Sequence, residues 1–289
     1  MKTLAEYQRA IARRVWRWVS RHPSPPRVQG PRVPIPRERL EHHSGLWGRE
    51  HPREWEWPAY LDPAAAPWLA TLRRLYASPL SFPASLSPEA GLLVHALVRN
   101  IRPRVVVETG TWIGISSIWI ASALQANGDG GRLHTFDLFL PIRPDQWRDA
   151  ELEEDRVGFV RRNFAEAGLE DVIEIHQGNS HANIRAMQAT LAAAGGNASG
   201  GRGGGVQLAY LDGDHGVEGA CQDLWAVEPV LATGGYILLH DIFPEYSGDE
   251  DGPRHILDRV NEIGAGVYDK CEVCLSPANY GLAVMRRVG

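Results

Sequence analysis

Between Ser87 and Asp241 the chain alternates short apolar, β-branched runs with longer segments of helical period, and few folds accept that pattern. Ser87-Pro88-Glu89 has the form of a helix start, with Leu92, Leu93, Ala96 and Leu97 supplying its apolar face. Strand-like runs follow at Val105–Val107, Leu133–Phe136, Val172–Ile175, Val206–Leu211 and Tyr236–Leu239. Helical spacing fills the gaps, over 115–124, 151–167, 181–194 and 217–231, and again over 254–263. Gly234-Gly235 reads as the turn into the fifth strand, and two further β-like runs near 267–275 and 280–286 close the chain. Strands that alternate with helices build an α/β fold, a parallel sheet covered on both faces.

Four of these strands end in an acid: Glu108, Asp137, Asp212 and Asp241. One such acid is usually a helix cap. Four in succession converge on the rim beyond the carboxyl ends of the strands, where open α/β sheets bind their ligands. The densest group is Y-L-D-G-D-H-G, which sets Asp212, Asp214 and His215 directly after an apolar run. Buried acids and imidazoles are costly unless paired or used. After the first strand comes Glu108-Thr-Gly110-Thr-Trp-Ile-Gly114-Ile-Ser116. Gly110 permits a sharp turn, Gly114 a close approach of ligand to backbone, and the helix start that follows favours an anion. The spacing is neither the dinucleotide G-x-G-x-x-G nor the P-loop, and the chain has no G-x-S-x-G elbow.

Composition excludes less. A formal net charge of −5 gives no global reason to expect nucleic acid. Residues 1–60 carry twelve Lys and Arg against six Asp and Glu, so a basic front precedes an acidic body. Residues 4–19 read as a basic amphipathic helix, 22–40 as a proline-rich linker, and 41–62 as a segment rich in His and Trp. Trp47, Trp55 and Trp57 are candidates for a lid over a substrate or for core anchors. Residues 195–205, with seven glycines, read as a flexible loop. Three cysteines give no disulfide framework, and the Cys271-x-x-Cys274 pair falls in a β-like run where positions three apart face opposite ways. No apolar stretch has the length of a membrane span or the form of a secretion signal, so a cytoplasmic protein is expected.

The E-T-G-T-W-I-G-I-S motif, followed in order by D-G-D-H, Gly-Gly and L-L-H-D, resembles the class I S-adenosylmethionine-dependent methyltransferases. Within them it resembles the small-molecule O-methyltransferases of the macrocin and antibiotic-sugar type, and more distantly the catechol type. The likeness covers roughly residues 87–287. It implies a Rossmann-like, mostly parallel sheet with an antiparallel last strand. It also implies a cofactor site that includes Glu108 and Thr111, with Gly110 and Gly114 at the methionine part, Ser116 at its carboxylate and Asp137 at the ribose hydroxyls. Asn179 and Ser180 would lie by the adenine, where they could equally cap the helix over 181–194. Asp212 would lie nearest the transferred methyl.

In metal-dependent relatives the position of Asp212, with two consecutive residues after the next strand, holds a divalent cation. Here those two are Asp241 and Ile242, and Ile242 cannot ligate. Mg²⁺ on Asp212 and Asp241 is therefore an open alternative. For the catalytic base the resemblance offers two residues: Asp214, the second acid in the sugar enzymes, and His215, aligned with the lysine of the catechol type. An imidazole suits base catalysis near neutrality, so His215 is preferred, with Asp214 as orienter or alternative base. The competing reading is that His215 caps the helix beginning near Val217.

The expected organisation is an N-terminal extension over 1–80 and a cofactor-binding domain over 81–289. The expected activity is methyl transfer from S-adenosylmethionine to a hydroxyl of a small molecule, a sugar or secondary metabolite. The alternatives are a hydroxylase-like or non-catalytic cofactor-binding relative, and a nicotinamide oxidoreductase that the glycine spacing disfavours. The expected partners are a small-molecule acceptor and further copies of the chain, a homo-oligomer, with no nucleic acid and no membrane span. Substrate contacts are expected from the loops after the second and fifth strands and from the front segment.

Overall fold

The computed structural model describes residues 55–82, 84–143, 153–195, 205–243, 251–273 and 281–289. The expected basic helix, the proline-rich linker, Trp47 and most of the glycine loop lie outside the described residues.

Two helices lead into the sheet, α1 (Pro67–Tyr76) and α2 (Pro88–Ile101). Strands and helices then alternate: β1 (Val105–Thr109), α3 (Ile115–Asn127), β2 (Arg132–Asp137), α4 (Arg156–Glu166), β3 (Ile173–Gln177), α5 (Ser180–Ala194), β4 (Val206–Leu211), α6 (Val217–Val227) and β5 (Leu231–His240). Helix α7 (Gly252–Ile263) and the strands β6 (Tyr268–Val273) and β7 (Leu282–Arg287) complete the chain. The seven strands lie in the order β3-β2-β1-β4-β5-β7-β6. β1 to β5 run parallel, and β7 enters antiparallel between β5 and β6. This is the expected mostly parallel sheet, with its strand order reversing between β1 and β4.

Strand alternation divides the core in two. Val106, Leu208 and Tyr210 face a layer formed by α1, α2, α3 and α4. Val105, Val107, Leu211 and Ile237 face a layer formed by α5, α6 and α7. On the first side Trp119 is fully buried, and its indole Nε1 donates to Tyr76 Oη at 2.9 Å. Gly91 is what lets α2 approach it, because a Cβ there would lie 2.1 Å from Trp119 Nε1.

Several local boundaries differ from the sequence expectation. The helix expected over 217–231 ends at Val227, and Glu228–Val230 form a 3₁₀ turn around Pro229, which lacks the amide to continue an α-helix. β5 begins at Leu231 rather than Tyr236. Gly234 and Gly235 are taken into the strand, where the pairing with β4 shifts register between Val206 and Leu208. The helix expected from Glu151 starts at Arg156, capped by Asp155, while Glu153 forms a β-bridge with Ile142.

Before residue 80, Trp55, Leu72, Leu75 and Tyr76 are buried in the same cluster as α2 and α3. Trp55 donates to Ser81 O at 3.2 Å and meets Phe82 edge-on, and Trp57 donates to Leu61 O, so these two tryptophans are core anchors. Among the described residues no helix is long and apolar enough to cross a membrane.

Candidate methyl-transfer site

The carboxyl ends of β1, β2, β4 and β5 form one rim, and the backbone there is tightly constrained. Gly110 has φ +85°, and a Cβ on it would sit 1.8 Å from the Asp212 carbonyl oxygen. The turn after β1 therefore presses against the end of β4, and only glycine fits. Gly114, at φ +92°, begins α3, and a Cβ there would lie 2.7 Å from the Phe164 ring. Its lack of a Cβ is what allows α4 to pack this closely.

Glu108 lies beneath this rim, fully buried. Ser117 Oγ and Thr135 Oγ1 donate to its carboxylate, the latter at 2.6 Å, and Thr111 Oγ1 lies 2.6 Å from Thr135 Oγ1. Burial pushes the Glu108 pKa up to about 7, against the hydroxyls of Ser116, Ser117 and Thr135, which work to lower it. Glu108 and Thr111 thus organise the turn from below, and among the described residues Glu108 Oε1 is buried with no hydrogen-bond partner.

Asp137, at the end of β2, is held by three donors. Phe139 N reaches Oδ1 at 2.7 Å, Trp112 N reaches Oδ2 at 3.0 Å, and the Arg156 guanidinium pairs with Oδ2. Arg156 also donates to Trp112 O and Leu140 O and lies over the rings of Trp112 and Phe139. Sequence reasoning missed Arg156, since nothing in D-R-V-G-F marks one arginine as buried. Asn179 caps α5, its Oδ1 accepting from Ala182 N at 3.0 Å, and Ser180 Oγ donates to Asp223 Oδ1 at 2.6 Å. Asp223, also missed, reaches the rim from α6. It is buried, and desolvation raises its pKa to about 7.

The densest chemistry is at the ends of β4 and β5. His240 is buried, with Nδ1 3.2 Å from Asp212 Oδ1 and 3.1 Å from Asp241 Oδ1. Asp241 has φ +55°, a left-handed conformation that Asp tolerates better than most residues and that folds its carboxylate back toward β4. His215 Nε2 lies 3.2 Å from Asp241 Oδ2 and 3.5 Å from Asp212 Oδ1, with 28% of its side chain exposed. Tyr210 Oη, deeply buried, donates to Asp212 Oδ2 at 3.4 Å. Burial alone would lower the pKa of His240, but Asp241 and Asp212 outweigh it and raise it to about 9. His240 is therefore an imidazolium at neutral pH. Asp212 is held below the ordinary carboxylate range because the two histidines outweigh its burial, whereas burial raises Asp241.

The two remaining residues are separated in role. The N-terminus of α6 is at Gly216 and takes no side-chain cap, so His215 is not the helix cap. Asp214 instead accepts from Gly216 N at 2.8 Å and lies over Gly219, where a Cβ would be 2.1 Å from its Cγ. Its carboxyl, with a pKa raised by burial, shapes the turn into α6. Gly252 N donates to His215 O at 2.7 Å, which pins the start of α7 against the same loop.

Magnesium finds a poor donor set here. It requires near-octahedral oxygen coordination. The rim offers two carboxylates already facing a buried imidazolium, and Ile242 is fully buried in the apolar core. The buried Asp241 Oδ1 makes no hydrogen bond and has His240 Nδ1 as its counter-charge.

A family profile described as a methyltransferase domain matches residues 107–242, from β1 to the residue after Asp241. Solved structures with the same fold include an O-methyltransferase from Bacillus cereus in complex with SAH, 18% identical, with a TM-score of 0.55 over 77% of this chain and 90% of that one. A methyltransferase from Geobacter sulfurreducens is 16% identical, with a TM-score of 0.52 over 90% of this chain and 100% of that one. The SAH-bound methyltransferase PaMTH1 of Podospora anserina is 14% identical, with a TM-score of 0.53 over 89% and 99%. With that profile lying across the rim of a sheet in this strand order, residues 107–242 match a methyltransferase domain.

Proposed function

We propose that the chain methylates a hydroxyl oxygen of a small molecule, with His215 as the base and no metal ion. The observation that carries this reading is the Asp212–His215–His240–Asp241 cluster beside the Gly110 turn. When bound, S-adenosylmethionine supplies an electrophilic methyl on a sulfonium. The protein's part is to align the acceptor and to take its proton. Gly110, Thr111 and Ser116 lie at the turn and helix start suited to the methionine end, and Asp137, aimed by Arg156, is the acid suited to the ribose hydroxyls.

His215 is the most exposed member of the cluster and lies beside two carboxylates. The His240 imidazolium offsets the charge of one of them. The other is left to stabilise the charge His215 acquires when its imidazole accepts the hydroxyl proton. In this arrangement His240 fills the cationic role between Asp212 and Asp241 that a metal has in metal-dependent relatives. The O-methyltransferase from Bacillus cereus supports oxygen as the acceptor atom. The exposed side chains of Leu138 and Leu140 after β2 supply apolar surface for an acceptor body.

The test is His215→Gln. It should retain S-adenosylmethionine affinity by calorimetry and lose about 10²–10⁴-fold in turnover, the range for a positioned general base. Turnover should also survive exhaustive chelation. Near-normal turnover in the variant would remove His215 as base, and activity lost on chelation and restored by Mg²⁺ would overturn the metal-free reading.

A further inference from the structure

Away from the rim, β2 and the edge strand β3 bring two imidazoles and a carboxylate together. His134 pairs in register with Glu174, and Phe136 with His176, so all four side chains project from one face. His134 Nδ1 lies 3.1 Å from His176 Nε2. Glu174 Oε2 is 3.5 Å from the first nitrogen, and Oε1 is 3.6 Å from the second. The His176 ring stacks on Phe136 with centroids 4.4 Å apart at 16°, and the two imidazoles stack at 5.4 Å and 22°. Glu174 is half in solvent, which leaves a path in and room for water.

We propose that His134, Glu174 and His176 form a binding site for a divalent transition metal of the zinc class, clamping the edge strand β3 to β2. Zinc takes imidazole nitrogen and carboxylate oxygen at about 2.0–2.2 Å in tetrahedral sites, which sets ligand atoms roughly 3.3 Å apart. The three separations here bracket that spacing, and all the ligand atoms lie within 4.8 Å of one another. Two nitrogen donors select against magnesium and calcium. Stacking already holds both rings in place, so Glu174 is the one ligand that must be ordered on binding. The ion would stiffen the strands whose ends carry Asp137 and Asn179. The competing account is a plain imidazole–imidazole hydrogen bond, in which Glu174 has no part.

That difference sets the experiment. Full-length protein, stripped with chelator and desalted, is titrated with Zn²⁺ by calorimetry and with Co²⁺ by visible absorption, as wild type, E174Q and H176Q. Circular dichroism establishes that each variant is folded. The wild type should take up one equivalent more than either variant, and the Co²⁺ bands of a low-coordinate nitrogen–oxygen site should vanish in both. Other histidines and the Asp212–His240–Asp241 group can also take zinc, so the difference between proteins, not the total, carries the result. If H176Q does not fold, E174Q, with its half-exposed side chain, decides. Isotherms of E174Q that superimpose on wild type would overturn the site. Neither readout involves methyl transfer, so this outcome is independent of the proposed function.

Discussion

Glu108→Gln should make the protein's stability less dependent on pH, and the size of the effect follows from where Glu108 sits. The carboxyl is fully enclosed at the end of β1, and burial raises its pKa from an ordinary 4.5 to about 7. In the unfolded chain it loses its proton above about pH 4.5, whereas the folded chain keeps it to about 7. Across that window folding takes up a proton. The contribution is fully present below the unfolded value and is lost as pH rises through the folded one. The distance from 4.5 to about 7 is worth about 3 kcal/mol. Asp223, raised from 3.8 to about 7 by its own burial, acts with the same sign and remains in the variant. Urea unfolding at about pH 5 and about pH 8 isolates Glu108, because every other titrating group cancels in the comparison of wild type with Glu108→Gln. Because the unfolded carboxyl is already mostly ionised at pH 5, the wild type should lose about 2–3 kcal/mol more than the variant between the two conditions. Parallel stability profiles would refute the claim that Glu108 is held protonated by desolvation.

Two further substitutions test the packing beneath the site. Gly110→Ala combines a φ of +85° with a Cβ 1.8 Å from the Asp212 carbonyl oxygen, and should destabilise by more than about 4 kcal/mol or prevent folding, read by thermal unfolding. Leu72→Ala removes a fully buried side chain of α1 from the cluster shared with α2 and α3, and should cost about 2–5 kcal/mol in urea unfolding. A negligible cost would show α1 to be a dispensable attachment.

The sheet was legible because its signals are periodic and independent of one another. Five apolar runs end in turn or acid residues, and the helices between them carry N-caps at Ser87 and Asn179 that the structure forms as hydrogen bonds. What escaped notice was local. Leu69, Leu72, Leu75 and Tyr76 are spaced as one helix face, but they fall in the stretch assigned to an N-terminal extension, before the first helix read from the sequence at Ser87. Gly234-Gly235 looks like a turn because glycine usually breaks a strand, and only the register shift against β4 shows why this strand tolerates the pair. The His134–Glu174–His176 group had a signal, alternate positions on two neighbouring strands, but its meaning depends on register, which one sequence does not contain.

The rim was legible in its acids and illegible in its charge. L-L-H-D shows a histidine before an aspartate, and strand alternation would send them to opposite faces. The positive φ of Asp241 breaks that alternation and returns its carboxylate to the side of His240. From this one backbone angle the rest of the electrostatics follows. Two carboxylates buried within reach of one ring raise the pKa of His240 to about 9, so the site carries its own cation before any ligand arrives. With both carboxylates ionised the trio keeps one unbalanced negative charge, and uptake of a proton by His215 neutralises it. Under the proposed function, a hydroxyl proton would pass to His215, beside the two carboxylates.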